Sequence, residues 1–264
     1  MKIRRRSFLM VAAVAVLVLG AVFYLSYIKP QRVVPILMYH AVGDVKGNTL
    51  YVSPENFKKQ MTFLHDRGYT VISLDKLVDA IASGVKFMPK TVVVTFDDGL
   101  KDNYINAFPV LVKYNMPATI FLITGSVDKR ENYLNWDQVE LMAKNNIDFG
   151  GHTRNNVYLP EVTDDNKLRA EIDGSKKDIE ENTGREVKYF CYPTGGFNEN
   201  IKRIVAESGY KGACTTNRGL VRGNTDVYEL KRVKVTNSDM EKPFHFKAKI
   251  SGYYNLFRKI RPGS

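Results

Sequence analysis

The sequence predicts an α/β fold, a distorted (β/α) barrel of about seven units preceded by one transmembrane helix. Apolar, β-branched runs alternate with amphipathic runs, which is typical of a parallel sheet covered by helices. We find no linker or internal repeat after residue 32, so the sequence predicts one domain there. An uncharged stretch near the N-terminus is long enough to cross a bilayer.

The N-terminal stretch predicts a membrane anchor. Residues 8–28 carry no charge, and at about 1.5 Å per residue they span about 31 Å, close to the hydrocarbon thickness of a bilayer. The basic segment 1–7 places the N-terminus in the cytoplasm by the positive-inside rule. We therefore expect a single-pass signal anchor, a linker at 29–32 and an extracytoplasmic domain over 33–264. A cleaved signal peptide, which would give a secreted domain, is the alternative.

The later elements follow from hydrophobic period and from start and stop signals. Ser53 and Pro54 open one predicted helix, and Gly84 lies just beyond the next. The predicted strands cover 33–39, 69–72, 91–96, 118–124, 147–150, 189–192, 212–215 and 233–235. The predicted helices cover 53–66, 74–82, 102–114, 136–145, 167–182, 199–208 and 244–257.

Composition excludes several classes of protein. The 264 residues are 44% apolar and 25% charged, which is ordinary for a globular protein. The two cysteines exclude a disulfide-dense scaffold and a four-cysteine zinc site. The net charge of +11 is concentrated in 1–7 and 242–264, and it indicates either a solvated surface or attraction to an anionic polymer or lipid. No nucleic-acid-binding motif accompanies it, so we expect no nucleic-acid partner.

The residues that could carry chemistry come directly after predicted strands, where barrel enzymes place them. Asp97 and Asp98 follow the most apolar strand, and their mutual repulsion is relieved by a cation or a proton. His152 ends another strand and is either a metal ligand or a buried, hydrogen-bonded histidine. For the two aspartates, the alternative interpretation is an ordinary helix N-cap with a first-turn acid.

Further candidates lie at two other strand ends. Tyr192, Pro193 and Thr194 begin a Pro-Gly loop, which is either a plain turn or a place where backbone N–H groups face a ligand. His40 ends the first strand. Neither His65 nor His245 is given a role.

Taken in order, these segments resemble the polysaccharide deacetylase family, the NodB-homology enzymes of carbohydrate esterase family 4. The resemblance implies a distorted β/α barrel, a divalent metal that is commonly zinc, and hydrolysis of N-acetyl or O-acetyl groups on polysaccharides. It extends over roughly residues 33–250. The matching segments are 35–40, 95–99, 118–122, 151–153 and 192–195.

The resemblance also implies roles for individual residues. Asp97 corresponds to the catalytic base and the backbone N–H of Thr194 to the oxyanion donor. Asp98 and His152 correspond to metal ligands, with Asn156 at the position of a third. Candidate substrate contacts are His40, Tyr192, Pro193 and Arg232.

The sequence departs from the family pattern in three places. Asn156 replaces a histidine, and a helical spacing would put it on one face with His152. Its amide oxygen would weaken zinc binding and favour Mn²⁺ or Mg²⁺. Cys191 replaces the arginine that orients the base, for which Arg232 is a possible substitute. The C-terminal Leu-x-His motif, whose histidine is the general acid in the family, has no match. The acid is therefore either absent or supplied by His40 or another group.

Two functional hypotheses follow. The first is a membrane-anchored, metal-dependent hydrolase that removes N-acetyl groups from N-acetylglucosamine units of a cell-wall polymer or exopolysaccharide. The second is a catalytically impaired relative that binds surface glycan, with Asn156 as the cause of the impairment. A related hydrolase that acts on O-acetyl esters or on another amide also remains open.

Overall fold

The computed structural model describes residues 2–45, 47–219, 223–256, 258 and 261–263. The chain forms two compact units, 1–33 and 34–264. In the first unit, helix α1 (Lys2–Phe23) continues through a π-helical turn and a short 3₁₀ turn to Gln31. The stretch Leu9–Gln31 is long and apolar enough to cross a membrane, a test that a signal sequence also passes.

The second unit is built on parallel strands. They are β1 (Ile36–Tyr39), β2 (Ala41–Val42), β3 (Tyr51–Val52), β4 (Thr70–Val71), β5 (Thr91–Phe96), β6 (Ala118–Leu122), β7 (Ile147–Gly151), β8 (Tyr189–Cys191), β9 (Gly212–Thr215), β10 (Leu230–Lys231) and β11 (Val233–Lys234). The main sheet runs in the order β10-β9-β8-β7-β6-β5-β1-β11, with β4 beside β5. The pair β2 and β3 stands apart from it.

One short segment closes this sheet into a nearly complete barrel. Strands β10 and β11 lie at opposite ends of the strand order, yet only Arg232 separates them in sequence. The first half of the segment 230–234 pairs with β9, and the second half pairs with β1. The prediction of a distorted (β/α) barrel is therefore confirmed, and Arg232 lies where the ring closes.

Helices surround the barrel. They are α2 (Pro54–Asp66), α3 (Leu74–Ala82), α4 (Phe108–Lys113), α5 (Trp136–Ala143), α6 (Asp165–Thr183), α7 (Glu199–Glu207), α8 (Ser238–Glu241) and α9 (Pro243–Lys249). Five of them begin at a side chain that accepts a backbone N–H, the usual way to satisfy the first turn. These caps are Ser53, Ser73, Asn135, Asp164 and Asn198.

Two apolar clusters hold the fold together. The larger one lies between the strands and helices that include α2, α5, α6 and α7. The smaller one joins Ile36, Val93 and Phe121 from the strands to Leu74 and neighbouring side chains of α3. Strand β4 pairs only with the first residues of β5, and Asp75 of α3 binds Lys188 and Tyr189 at the N-terminal end of β8. Helix α3 therefore packs at the strands' N-terminal ends and leaves their C-terminal ends for the site.

Some predicted elements differ from the structure. The helix predicted over 102–114 is split into a π-helical turn, Asn103–Ala107, and α4. Pro109 explains the split, because proline has no N–H to donate and its ring clashes with the carbonyl four residues earlier. The helix predicted over 244–257 ends at Lys249, and Phe257 lies outside the described residues. Strand β10 was missed because two residues are too short for a periodic signal.

Candidate active site

The carboxyl ends of the barrel strands bring the candidate residues together. His40 follows β1, Asp97 follows β5 and His152 follows β7, while Cys191 ends β8. Strands β1 and β5 pair Tyr39 with Phe96, so the next residues, His40 and Asp97, are neighbours. Arg232 reaches the same place from the closing segment.

Asp97 and Arg232 form a buried ion pair at the centre of the site. Arg232 donates from Nη1 to Oδ1 at 2.6 Å and from Nη2 to Oδ2 at 2.7 Å. Its side chain is fully buried, and its Nε donates to the carbonyl of Thr215. Burial by itself would raise the pKa of Asp97, but the charge and hydrogen bonds of Arg232 outweigh it and hold that pKa well below its usual range. Asp97 is therefore ionised and oriented.

Asp98 and His152 face each other beside this pair. The distance from Asp98 Oδ1 to His152 Nε2 is 3.6 Å. The other ring nitrogen, Nδ1, lies 2.7 Å from the carbonyl oxygen of Cys191, which fixes it as the N–H donor and leaves Nε2 free to act as a ligand. Asp98 and Gly99 both have left-handed backbone, with φ of 74° and 73°, and a Cβ at Gly99 would overlap the Leu122 side chain.

His40 lies on the other side of Asp97. Its Nε2 is 3.7 Å from Asp97 Oδ2, and its side chain is 17% exposed, so one edge of the ring stays accessible. Burial lowers the pKa of His40, although the negative charges of Asp97 and Asp98 oppose that shift. Asn103 donates to the His40 carbonyl at 2.8 Å, which fixes the backbone beneath the ring. A partly open imidazole beside the carboxylate is suited to proton transfer.

Thr194 is exposed in an otherwise buried loop. Its φ of 51° is left-handed, and the residues on both sides of it, Pro193 and Gly195, are buried. Gly195 also has a positive φ of 77°, and a Cβ there would clash with Thr216. The loop therefore holds residue 194 at the surface in a conformation that strains a β-branched side chain.

Asn156 is placed differently from the expectation. The segment from His152 to Asn156 is not helical, because Thr153 and Asn156 have left-handed φ values of 61° and 55°. The helical argument for His152 and Asn156 sharing one face is therefore wrong, and Asn156 is exposed. The buried hydroxyl of Thr153 has no hydrogen-bond partner among the described residues, which is unusual unless a ligand or water completes the site.

Two donor sets could hold a divalent metal. Asp97, His152 and Cys191 have potential ligand atoms within 4.8 Å of one another. However, Arg232 binds both oxygens of Asp97 and approaches the Cys191 sulfur at 3.0 Å, so a cation there would meet a buried positive charge. Burial also raises the pKa of the Cys191 thiol, which disfavours the thiolate that metals bind. Asp98 with His152 Nε2 fits a metal better, because that ring is already oriented by its second hydrogen bond.

Comparisons with known proteins agree with this geometry. The family model for polysaccharide deacetylases matches residues 84–213. YxkH of Bacillus subtilis, whose name places it among polysaccharide deacetylases, is 34% identical over 208 residues, covering 79% of this chain and 73% of that protein. The chain belongs to the polysaccharide deacetylase family.

Other members support the same assignment. The poly-β-1,6-N-acetyl-D-glucosamine N-deacetylase of Staphylococcus epidermidis is 28% identical over 211 residues, which cover 75% of this chain and 73% of that enzyme. The solved structure of the Streptococcus pyogenes deacetylase PplD in complex with acetate superposes with a TM-score of 0.76 at 27% identity. The superposed region covers 83% of this chain and 99% of the PplD chain.

Three of the expected substrate contacts in this member of the family are buried. Arg232 and Tyr192 are fully buried, and Pro193 is also buried, so their side chains offer little surface to a polymer. Tyr192 instead donates to the carbonyl of Tyr228 and stacks on Phe197. Arg232 instead binds Asp97. This contact fits its other expected role, as a substitute for the family's base-orienting arginine at position 191. His40 keeps an exposed edge.

No role in the candidate site was predicted from the sequence for the Cys191 thiol or for Asn103. The Cys191 sulfhydryl donates to Asp97 Oδ1 at 3.6 Å, and Asn103 holds the His40 carbonyl. Cys191 directly precedes the Tyr192-Pro193 motif, so its position at the end of a predicted strand could have indicated that it lies in the site. Asn103 lies within a helical pattern, and nothing in that pattern separates it from a surface asparagine.

Proposed function

We propose that this chain is a membrane-anchored, metal-dependent enzyme that hydrolyses N-acetyl groups of an N-acetylglucosamine-containing cell-wall polymer or exopolysaccharide. The observation that carries the proposal is the convergence of Asp97, Asp98, His152 and His40 at one edge of the barrel. The S. epidermidis relative, named as a deacetylase of poly-β-1,6-N-acetyl-D-glucosamine, supports the substrate class.

Asp97 is the base in this proposal. Its low pKa makes it a weak base, so it needs a water that is more acidic than bulk water. Asp98 and His152, with Asn156 as the proposed third ligand, would hold a divalent metal that supplies this acidity when bound, and zinc, Mn²⁺ and Mg²⁺ are the candidates. Arg232 keeps the carboxylate of Asp97 in one orientation throughout.

Two other groups complete the reaction. The backbone N–H of Thr194 stabilises the negative charge that develops on the acetyl oxygen. His40 passes the proton that Asp97 takes from the water to the nitrogen of the departing sugar amine, and its position 3.7 Å from Asp97 favours this transfer. Water and the N-acetyl group are consumed, and acetate and a free amine are released.

The proposed location follows from the first unit of the chain. We take residues 8–28 as a signal anchor, with 1–7 in the cytoplasm, 29–32 as a linker and 33–264 as the deacetylase domain outside. The uncharged helix and the basic residues before it support this arrangement. Cleavage of the anchor would instead release the domain.

A second candidate function is favoured by Asn156. An exposed amide in a non-helical segment is a weak third donor, so metal affinity could fall too low for turnover. The chain would then bind glycan without releasing acetate.

Acetate release separates these two functions. The full chain in detergent is incubated with N-acetylglucosamine oligomers and with Zn²⁺, Mn²⁺ or Mg²⁺, beside Asn156→His and Asp97→Asn. We expect metal-dependent release by the unmodified chain, faster release by Asn156→His, and a loss of about 10²-fold or more in Asp97→Asn. Circular dichroism checks that each variant is folded, because Asp97→Asn leaves Arg232 buried without its counter-charge.

The outcomes lead to different conclusions. Release only by Asn156→His would identify a deacetylase scaffold disabled at one ligand, and the glycan-binding function would replace the first proposal. Release by the folded Asp97→Asn variant at the unmodified rate would exclude Asp97 as the base.

A further inference from the structure

The segment 152–156, which carries His152 and Asn156, holds an unfavourable backbone conformation. Thr153 and Asn156 both have left-handed φ, which is rare for a β-branched threonine. Such residues persist only where the surroundings impose their conformation. Interactions from outside the segment must therefore hold it in place.

Helix α6 supplies the first of these interactions through Asp178. Arg154 donates to it from Nε at 2.9 Å and from Nη2 at 2.5 Å, a two-pronged, charge-assisted contact. Thr124, just after β6, donates to the same carboxylate at 2.6 Å. The Arg154 side chain lies flat on the helix at Gly174, where a Cβ would be 2.5 Å from Nε. Asp178 thus links the segment 152–156 both to α6 and to the loop that follows β6.

A second carboxylate on the same face of α6 holds the next residue. Glu171 accepts from the backbone N–H of Asn155 at 2.9 Å and from its side-chain amide at 2.7 Å. On the other side, Gly125 donates its N–H to the Arg154 carbonyl at 2.8 Å, in a place where a Cβ would overlap that oxygen. Residues 154 and 155 are therefore fixed from both sides, between the two positions that the proposed function assigns to the metal.

We propose that Asp178 and Glu171 are positioning residues, which hold the segment 152–156 so that His152 is presented to the metal. This inference rests on the proposed function for its consequence, but the contacts themselves do not depend on it. Neither carboxylate is a catalytic residue, because each acts through the segment that it binds.

Two measurements on the full chain test this role, using Asp178→Asn and Glu171→Gln. Hydrogen exchange of the metal-free protein is read over residues 152–156, and the dissociation constant for Co²⁺ is measured by competition with a chromophoric chelator. We expect exchange over the segment to rise at least tenfold, and Co²⁺ to bind about tenfold more weakly, the size of effect typical of residues that support metal ligands. The midpoint of thermal unfolding should change little, because both carboxylates are partly exposed.

Matched controls separate positioning from a general loss of structure. Asp173→Asn makes the same chemical change on the same helix, but Asp173 binds Ser208 and not the segment, so its exchange and Co²⁺ affinity should match the unmodified chain. In an Arg154→Ala background, Asp178→Asn should add little, because the two residues act through one contact.

Each result decides the proposal. Unchanged exchange over 152–156 in both variants would overturn it, as would faster exchange with unchanged Co²⁺ affinity. If the unmodified chain neither binds Co²⁺ nor releases acetate, the proposed function fails, whereas the exchange data still decide whether α6 holds the segment.

Discussion

The buried ion pair between Asp97 and Arg232 affects both the stability of the fold and the orientation of the Asp97 carboxylate. Burying both charges is costly, and the two parallel hydrogen bonds, with the further bonds of Arg232 to Thr215 and Thr95, offset that cost. The same bonds fix the direction in which the Asp97 carboxylate points. They also lower its pKa, so orientation is obtained at the expense of basicity. The proposed metal site beside it compensates by acting on the water.

Replacing Arg232 with lysine tests whether orientation matters more than charge. Lysine keeps the positive charge but cannot make two parallel bonds to a carboxylate. We expect Arg232→Lys to lower kcat for acetate release about tenfold with little change in KM, and to lower the free energy of unfolding by about 2 kcal/mol. Kinetics and urea unfolding measure the two effects. Arg232→Ala is the comparison, with an expected loss of about 3–5 kcal/mol. A wild-type kcat in a folded Arg232→Lys would contradict the orienting role.

Helix α3 shows how a helix contributes to the site without touching it. Its buried residues pack with the inner side chains of the barrel at the end opposite the site. At its first turn, Asp75 accepts from Tyr189, the first residue of β8, at 2.8 Å and from Lys188, the residue before it, at 3.0 Å. Because Cys191 ends that same strand, the helix helps to hold one wall of the site.

The Asp75 contacts predict a pH dependence of stability. Burial would raise the pKa of Asp75, but the bonds from Tyr189 and Lys188 outweigh it and lower that pKa. The stabilisation is therefore present above the unfolded-state pKa, about 3.9, and is lost as pH falls through the folded-state value. We expect Asp75→Asn to reduce the free energy of unfolding by about 1 kcal/mol at neutral pH, a value kept small because the side chain is 36% exposed.

Urea unfolding at several pH values measures this difference. It should shrink steadily once the pH is taken below the unfolded-state pKa. The exposed Asp79, also on α3, provides the control, and Asp79→Asn should change stability by less than about 0.5 kcal/mol at every pH. A difference for Asp75→Asn that stayed constant with pH would rule out the charge as its cause.

The chain as a whole is organised by the closure of its barrel. The segment 230–234 joins β9 to β1, and it carries Arg232 into the interior at the point of closure. The catalytic arrangement and the completion of the ring therefore depend on the same few residues. Arg258, from the C-terminal tail, donates to the Arg232 carbonyl at 2.8 Å and reinforces this point.

The N-terminal unit predicts where the protein is found. We expect the full chain to sediment with membranes and to resist extraction at high pH, because its apolar helix is long enough to span a bilayer. A chain that begins at Val34, the first residue of the second compact unit, should stay in the soluble fraction. Fractionation followed by intact-mass measurement checks both. Recovery of the full-length mass in the soluble fraction would contradict the anchor, and a shorter mass in the medium would indicate cleavage.

The bounds of several elements and the acidic and histidine residues of the candidate site could be predicted from the sequence alone. Ser53 and Pro54 start α2 as expected, and the predicted bounds of α3, β5 and β9 match the structure. These features are local, because caps, turns and hydrophobic period act over a few residues. The position of Asp97 and Asp98 after β5 was equally readable, since a strand end in a parallel barrel is also the edge of the site.

The side chains that contact those residues could be identified from the tertiary structure but not from the sequence. Arg232 is 135 positions from Asp97, Cys191 is 94 positions away, and Asp178 is 24 positions from Arg154. The tertiary structure also decided against a helix at 152–156, where contacts with α6 override the local spacing. The physical reason is that closing a ring of parallel strands brings their carboxyl ends together, although these ends are far apart in sequence. Local sequence patterns reflect only interactions between residues a few positions apart.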